Sequence, residues 1–197
     1  MKTLVINCNN IAEKIIPYLE FIKDYTEYTV VEDIEVSESF DISDFDAILI
    51  SGSNKNLSQG QFQRSFIDFL RELNAPTIGI CYGFQILTYA YGGKVRRLEN
   101  KIKGDKAIDI LDQDIVFKGL SSPFVASESH EEYISCDDAV FQNTLKLLAK
   151  SNFNSICIAE AMKVKDKPIY GFQFHIERSK DVGKQILSNF YTYVVKG

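Results

Sequence analysis

The 197-residue chain has the composition of an ordinary globular domain, with 45% hydrophobic and 25% charged residues. Lysine and arginine total 22 against 27 for aspartate and glutamate, so the net charge is −5. This balance argues against nonspecific binding to nucleic acid or anionic lipid, because both require clustered basic residues. No apolar run approaches the roughly 18 residues of a membrane span, and the first residues do not resemble a signal peptide. The sequence therefore predicts a cytoplasmic protein.

The first half of the chain alternates short apolar runs with segments of helical periodicity. The predicted strands are 4–6, 28–31, 47–50 and 77–80, and the predicted helices are 11–22 and 62–73. Continuous apolar strands separated by helices are typical of a mostly parallel sheet that is covered on both faces. The expected fold class is therefore α/β.

The pattern changes between residues 95 and 174, where strands follow one another with few helices between them. The predicted strands are 107–111, 124–126, 145–149, 156–159 and 169–174, and a final helix covers 182–194. This pattern predicts an antiparallel or mixed region attached to the parallel core. The chain has no internal repeat and no Gly/Ser/Pro-rich linker, so we expect one domain over residues 1–197.

The four cysteines are widely spaced, and no Cys-x-x-Cys pair occurs. This spacing argues against a disulfide framework and against a zinc site, and it predicts free thiols. We interpret Cys8, Cys136 and Cys157 as core residues, as most free cysteines are.

Cys81 differs, because it follows a predicted strand and lies between Gly79 and Gly83. A nucleophile on a sharp strand-to-helix turn needs small neighbours, and the N-terminus of the following helix favours a thiolate. The alternative is a fourth buried core cysteine. Because ligands of open α/β sheets bind at the carboxyl ends of the strands, we favour the nucleophile.

A thiolate nucleophile also needs a proton shuttle, and the chain contains only two histidines. His175 is predicted at a strand end, where Glu177 two residues later shares its face and accepts a proton from Nδ1. The simpler alternative is a surface His-Glu pair that precedes a helix.

A third segment, Ser51-Gly52-Ser53, ends the predicted strand 47–50. A glycine-containing turn there and the N–H of Tyr82 would together supply two donors for an oxyanion. An ordinary loop glycine is the alternative.

The segments Gly-Ile-Cys-Tyr-Gly-Phe-Gln at 79–85 and Gly-Phe-Gln-Phe-His-Ile-Glu at 171–177 resemble the class I, triad-type glutamine amidotransferase family. Its usual patterns are G-x-C-x-G-x-Q and G-x-Q-F-H-P-E. The resemblance implies a single three-layer domain with a flavodoxin-like, mostly parallel core and an added antiparallel region. It also implies that Cys81, His175 and Glu177 form a triad that hydrolyses L-glutamine without a metal or cofactor.

The resemblance extends to residues around the triad. The N–H groups of Ser53 and Tyr82 would form the oxyanion hole, with Gly52 permitting the turn. The residues implied to bind glutamine are Gln85, Ser129 and His130. The family turn is usually Ser-Gly-Gly-Pro, whereas residues 51–54 read Ser-Gly-Ser-Asn, so we expect a hole that is incompletely formed at rest and a low resting activity.

Within the family, segments 115–120, 159–162 and 168–171 are similar to the stand-alone glutaminase subunits of GMP synthases. This similarity implies that a separate ATP-dependent synthase subunit, of the kind that completes a two-subunit GMP synthase, is the partner that receives ammonia. A stand-alone γ-glutamyl amide or peptide hydrolase and a catalytically degenerate regulatory protein are the alternatives. The basic run 94–97, with Lys101 and Lys103, is interpreted as a solvated face or as part of a docking surface.

Overall fold

The computed structural model describes all 197 residues and contains nine strands and five helices. The strands are β1 (Lys2–Asn7), β2 (Glu27–Glu32), β3 (Ala47–Ile50), β4 (Thr77–Ile80), β5 (Val95–Ile110), β6 (Phe124–Ile134), β7 (Leu145–Phe153), β8 (Ile156–Val164) and β9 (Ile169–Phe172). The helices are α1 (Ile16–Ile22), α2 (Arg64–Glu72), α3 (Tyr82–Ala90), α4 (Val140–Asn143) and α5 (Lys180–Asn189). None of these helices combines the length and apolar character that crossing a membrane requires.

All nine strands belong to one sheet, in the order β2-β1-β3-β4-β9-β8-β7-β5-β6. The pairings among β1, β2, β3, β4 and β9 are parallel, and the other strands are joined by antiparallel pairings. The antiparallel part curls, so that the chain just after β6 meets β8 through a bridge between Ser135 and Ile158. The predicted combination of a parallel core with an antiparallel region is confirmed.

The parallel strands separate two apolar cores. Leu4 and Ile50 pack in one core with residues of α2 and α3, whereas Val5 and Leu49 pack in the other with residues of α1 and α5. This division follows from the strand geometry, since successive side chains point to opposite faces of a sheet. Helices therefore cover both faces, and the expected three-layer α/β architecture is confirmed.

Two predicted elements differ locally from the structure. Residues 12–15 form a 3₁₀-helix and α1 begins only at Ile16, with Pro17 in its first turn; proline fits there because its missing N–H would have no partner in a first turn anyway. The strand predicted at 169–174 ends at Phe172. Residues 173–175 leave the sheet, and this change positions the candidate site.

The prediction of free thiols at Cys136 and Cys157 is wrong, because these two residues form a disulfide. The curl of the sheet explains the pairing: the bridge between Ser135 and Ile158 brings the end of β6 against the start of β8, and the Cα atoms of the two cysteines lie 5.5 Å apart. Sequence spacing alone does not reveal this contact. Cys8 and Cys81 are free and buried.

Candidate active site

The carboxyl ends of β3, β4 and β9 lie side by side, because these strands are parallel neighbours in the sheet. The residues that follow them are Gly52, Cys81 and His175, respectively. Three segments separated widely in sequence therefore meet at one edge, as the ligand-site rule for open α/β sheets predicts.

Cys81 lies in the sharp turn between β4 and α3, with a φ angle of 53° and a ψ angle of −103°. A positive φ angle is rare for a residue with a Cβ atom and represents a strain of about 1–3 kcal/mol. The Cys81 N–H donates to the carbonyl of Phe172 in β9 at 2.7 Å, and this bond helps to hold the turn. The turn directs the thiol toward the open end of the sheet, and α3 begins at the next residue.

The flanking glycines allow this turn to pack against the sheet. A Cβ atom on Gly79 would lie 2.6 Å from the carbonyl oxygen of Gly83, and one on Gly83 would overlap the carbonyl oxygen of Ile50 in β3. Both contacts involve backbone, which cannot rotate away. Small residues at these two positions are therefore needed for α3 to approach β3 and β4.

His175 and Glu177 are brought together as the sequence predicts, but by a different local structure. Residues 176–178 form a 3₁₀ turn with His175 at its N-cap, so the alternation of an extended strand does not apply. The distance between His175 Nδ1 and Glu177 Oε1 is 2.7 Å. Because a carboxylate accepts, Nδ1 carries the proton and Nε2 is the nitrogen left for the thiol.

The position of His175 is fixed through its backbone. Its N–H donates to the carbonyl of Ser127 in β6 at 2.8 Å, and its carbonyl accepts from the hydroxyl of Ser179 at 2.7 Å. The Glu177 carboxylate is fully buried and also contacts Arg178 Nε at 3.3 Å. The antiparallel half of the sheet therefore holds the histidine segment in place.

The charges of this cluster favour a protonated imidazole. Burial alone would lower the pKa of His175, but the charge and hydrogen bond of Cys81, together with those of Glu177, raise it to about 10. His175 therefore keeps its proton at neutral pH, between a sulfur atom and a carboxylate. This arrangement supports an ion pair of thiolate and imidazolium, the reactive form of a cysteine nucleophile.

The turn after β3 lies directly against Cys81 and His175. A Cβ atom on Gly52 would lie 3.5 Å from Cys81 Cβ, 3.5 Å from His175 Cε1 and only 2.5 Å from the hydroxyl oxygen of Tyr18. The Gly52 N–H donates to this hydroxyl at 3.1 Å. Tyr18 thus fixes the turn, and glycine is required because no side chain fits between the hydroxyl and the thiol.

The N–H groups of Ser53 and Tyr82 are the oxyanion donors implied by the sequence. The Ser53 hydroxyl donates to the carbonyl of Cys8 at 2.6 Å and accepts from the N–H of Lys55 at 3.0 Å, whereas its own N–H has no acceptor in the protein. The N–H of Tyr82 is at the start of α3, where backbone donors have no partner within the helix. Both groups therefore remain available to a ligand.

A buried amide network connects α3 to the thiol. Gln85 Nε2 donates to the carbonyl of Glu132 at 2.8 Å and to Gln173 Oε1 at 3.1 Å, and Gln173 Nε2 contacts Cys81 Sγ at 3.8 Å. Sequence reasoning assigned no role to Gln173 or to Tyr18. Gln173 could have been found from its place in the 171–177 motif, but nothing in the sequence around Tyr18 indicates its contact with Gly52.

The segment Ser129–Glu132 of β6 forms the opposite wall. His130 borders the opening, yet both of its ring nitrogens face protein atoms, with Nδ1 at 2.8 Å from the carbonyl of Glu132 and Nε2 at 3.0 Å from Glu128 Oε2. The Glu132 carboxylate accepts from the N–H groups of Leu57 and Ser58. The loop after β3 is therefore tied to β6 across the opening.

These walls enclose an open cleft of about 760 Å³ lined by 19 residues, 2 of them hydrophobic. The predicted site residues that line it are Gly52, Ser53, Cys81, Gln85, Ser129, His130 and His175. Tyr82 and Glu177 are behind its surface. Lys101, Arg178 and Glu13 add charges of both signs, which suits a zwitterionic ligand.

Comparison with known proteins agrees with this geometry. Residues 4–194 match the family model described as glutamine amidotransferase class-I. A subunit of the glutamine-hydrolysing GMP synthase from Methanothermobacter thermautotrophicus is 36% identical over 126 residues, which cover 64% of each chain. The corresponding subunit from Pyrococcus abyssi is 35% identical over 144 residues, or 73% of this chain and 72% of that one.

A solved structure shows the same fold. The glutamine amidotransferase from Thermotoga maritima superposes with a TM-score of 0.78 over 100% of this chain and 99% of that one, at 13% sequence identity. The family match spans almost the whole chain, and the chain therefore belongs to the class-I glutamine amidotransferase family.

Proposed function

We propose that this protein hydrolyses the side-chain amide of L-glutamine to glutamate and ammonia. The observation that supports this most directly is the contact of Cys81 with a protonated His175, whose Nδ1 is 2.7 Å from Glu177. Family membership supports the same chemistry, since the matching family is named for glutamine amidotransfer. The cleft has open backbone donors beside the thiol, so binding and chemistry occur at one place.

In the first step the Cys81 thiolate attacks the side-chain carbonyl carbon of glutamine. A bond forms between sulfur and carbon, and the negative charge that develops on oxygen is stabilised by the N–H groups of Ser53 and Tyr82. The bond between carbon and nitrogen then breaks. His175 gives its proton to the departing nitrogen, which leaves as ammonia, and a γ-glutamyl thioester remains.

In the second step His175, now neutral, takes a proton from a water molecule. The hydroxide adds to the thioester carbon, the oxyanion forms again between the same donors, and the bond between carbon and sulfur breaks. Glutamate leaves and the thiolate is restored opposite a protonated His175. Glu177 keeps the imidazole in one tautomer throughout both steps.

We further propose that the ammonia passes to a separate ATP-dependent synthase chain of the GMP synthase type. Support comes from the relatives named as subunits of glutamine-hydrolysing GMP synthases, at 35–36% identity. The substitution of Ser53-Asn54 for the usual Gly-Pro in the oxyanion turn adds a reason to expect stimulation by a partner, because the turn is less free to present its N–H groups.

Glutamine hydrolysis by the wild-type chain and the variants C81A and C8A tests the first proposal. C81A is expected to lose at least about 10⁴-fold in kcat, and C8A to retain activity, because Cys8 is a buried thiol without a histidine partner. Mass spectrometry with a glutamine-analogue electrophile gives a second readout, since only chains with Cys81 should form an adduct. Activity that survives in C81A, or no adduct on the wild-type chain, contradicts the mechanism.

The partner is tested by repeating the assay with the ATP-dependent amination chain of a two-subunit GMP synthase, in the presence of ATP and XMP. Stimulation of the wild-type chain and not of C81A supports ammonia transfer. Full activity without the amination chain, together with a preference for substituted γ-glutamyl amides, favours a stand-alone hydrolase and contradicts the transfer proposal.

A further inference from the structure

Behind the wall of the cleft, three acidic or basic side chains converge from β6 and β8. Glu128, His130 and Glu160 each place one potential ligand atom within 4.8 Å of the other two. Their exposed fractions are 2%, 4% and 1%, respectively. Two carboxylates and an imidazole at this depth require compensation of their charges, because an isolated buried charge is strongly unfavourable.

The hydrogen bonds of the protein leave this cluster incomplete. Both oxygen atoms of Glu128, one oxygen atom of Glu160 and Nε2 of His130 are buried without a hydrogen-bond partner. Most buried polar atoms in proteins have a partner, so four such atoms in one place call for an explanation. A group absent from the protein chain itself would satisfy them.

The tautomer of His130 identifies the kind of group. Its Nδ1 is 2.8 Å from the carbonyl oxygen of Glu132, and a carbonyl only accepts, so Nδ1 carries the proton. In the neutral ring the lone pair of Nε2 then faces Glu128 Oε2 at 3.0 Å. A metal-binding histidine has this arrangement, with one nitrogen on a backbone carbonyl and the other free for the ion.

The charges agree with a cation. Burial raises the pKa of Glu128 to about 7, and burial together with the charge of Glu128 raises the pKa of Glu160. Burial lowers the pKa of His130, so its ring tends to be neutral. A divalent cation would balance two ionised carboxylates and leave the cluster without net charge.

We propose that Glu128, His130 and Glu160 bind one divalent transition-metal ion, and that Zn²⁺ suits them best. An imidazole ligand disfavours Mg²⁺ and Ca²⁺, which prefer oxygen-only sites, and Zn²⁺ stands near the top of the affinity order for mixed nitrogen and oxygen ligands. Zn²⁺ distances of about 2.0–2.2 Å require only a small contraction of the cluster. His130 also borders the cleft, which provides an entry route.

The ion would link the two strands that hold the candidate catalytic segment. Glu160 accepts the Gln173 N–H through its own carbonyl at 2.8 Å, and Ser127, next to Glu128, accepts the His175 N–H at 2.8 Å. The site is therefore structural and distinct from the thiol. The proposal does not depend on the proposed function, since it concerns binding by residues outside the triad.

Zn²⁺ titration by isothermal calorimetry of the EDTA-treated full chain tests the proposal. All measurements use a C81A background, because a thiolate beside His175 would also bind Zn²⁺. The variants E128Q and E160Q keep the shape of the side chain but remove its charge. E131Q is the matched control: Glu131 is the neighbour of His130 on β6 but is exposed and paired with Arg97.

The expected result is one equivalent of Zn²⁺ bound by C81A and by C81A/E131Q, with binding weakened at least about tenfold in the E128Q and E160Q variants. Replacement of Zn²⁺ by Co²⁺ should give a visible absorption band in the same two proteins only. Circular dichroism before titration confirms that each variant is folded, and an unfolded E160Q leaves E128Q to decide.

Two outcomes overturn the proposal. If EDTA-treated C81A binds no Zn²⁺, the cluster is neutralised by protons alone. If binding is equal in C81A, C81A/E128Q and C81A/E160Q, the ion binds elsewhere on the chain.

Discussion

At the scale of single residues, the properties of the candidate site depend on how the neighbours of one imidazole set its proton affinity. Burial opposes the charged form of His175, and the interactions with Cys81 and Glu177 outweigh burial. The pKa of about 10 therefore belongs to the cluster rather than to the histidine alone. Changing either neighbour should shift this pKa and the pH range of activity in a predictable direction.

The variant E177Q should lower kcat by up to about 10⁴-fold, because the glutamine amide can donate to Nδ1 and thereby favour the wrong tautomer. The pKa of His175 should also fall, since the carboxylate that helps to raise it is gone. A raised pKa keeps the proton on His175 up to about pH 10, so the alkaline limb of kcat/KM should move to lower pH in E177Q. An unchanged pH profile contradicts the role of Glu177.

The contact of Tyr18 with Gly52 gives a second prediction at this scale. In G52A the new Cβ atom would lie 2.5 Å from the Tyr18 hydroxyl, so the turn that carries Ser53 must move. We expect a loss of about 10²–10³-fold in kcat, the effect of removing one oxyanion donor. The double variant Y18F/G52A should recover part of this loss, because removal of the hydroxyl makes room for the methyl group.

A double-mutant cycle with Y18F, G52A and the double variant measures this coupling. Additive effects of the two substitutions would show that the hydroxyl does not position the turn.

At the scale of elements, the sequence predicts the parallel half of the sheet better than the curled half. The strand predicted at 47–50 agrees with the structure because its residues are continuously apolar and buried on both faces. By contrast, β5 extends from Val95 to Ile110, and its exposed N-terminal half carries many charged residues. Its pairing partners set its length, and local pattern does not reveal them.

The same reasoning explains which parts of the site were predictable. The turn at Cys81 is local, and the flanking glycines reveal it. The disulfide and the Glu128–His130–Glu160 cluster depend on the contact between β6 and β8, which brings together residues 21 and 30–32 positions apart. Sequence arguments on metals considered only cysteine spacing and therefore did not find this cluster.

The disulfide between Cys136 and Cys157 gives a prediction for these two elements. It closes a loop with a sequence separation of 21, and restriction of the unfolded chain by such a loop is worth about 3 kcal/mol. Replacing both cysteines with serine should lower the free energy of unfolding by about this amount, as measured by urea denaturation. Dithiothreitol should destabilise the wild-type chain equally and leave the double variant unchanged; equal stability of all three samples contradicts a formed disulfide.

At the scale of the whole molecule, the candidate site connects both halves of the sheet. Cys81 follows β4 in the parallel half, whereas the Ser127 carbonyl that holds His175 and the Glu132 carboxylate that holds the loop at residues 57–58 belong to β6. The two apolar cores each include residues from both halves. Neither half therefore has a core of its own, and this arrangement favours a single cooperative unit.

We therefore expect the chain to unfold in one transition, despite the change from parallel to antiparallel structure near residue 95. Far-ultraviolet circular dichroism, tyrosine fluorescence and glutamine hydrolysis should lose their signals at the same urea concentration, because each depends on contacts between the halves. The 10 tyrosines and the absence of tryptophan make tyrosine emission the suitable optical probe. If activity disappears at a lower urea concentration than the circular dichroism signal, β6 and the histidine segment separate from the parallel core first, and the chain consists of two units of different stability.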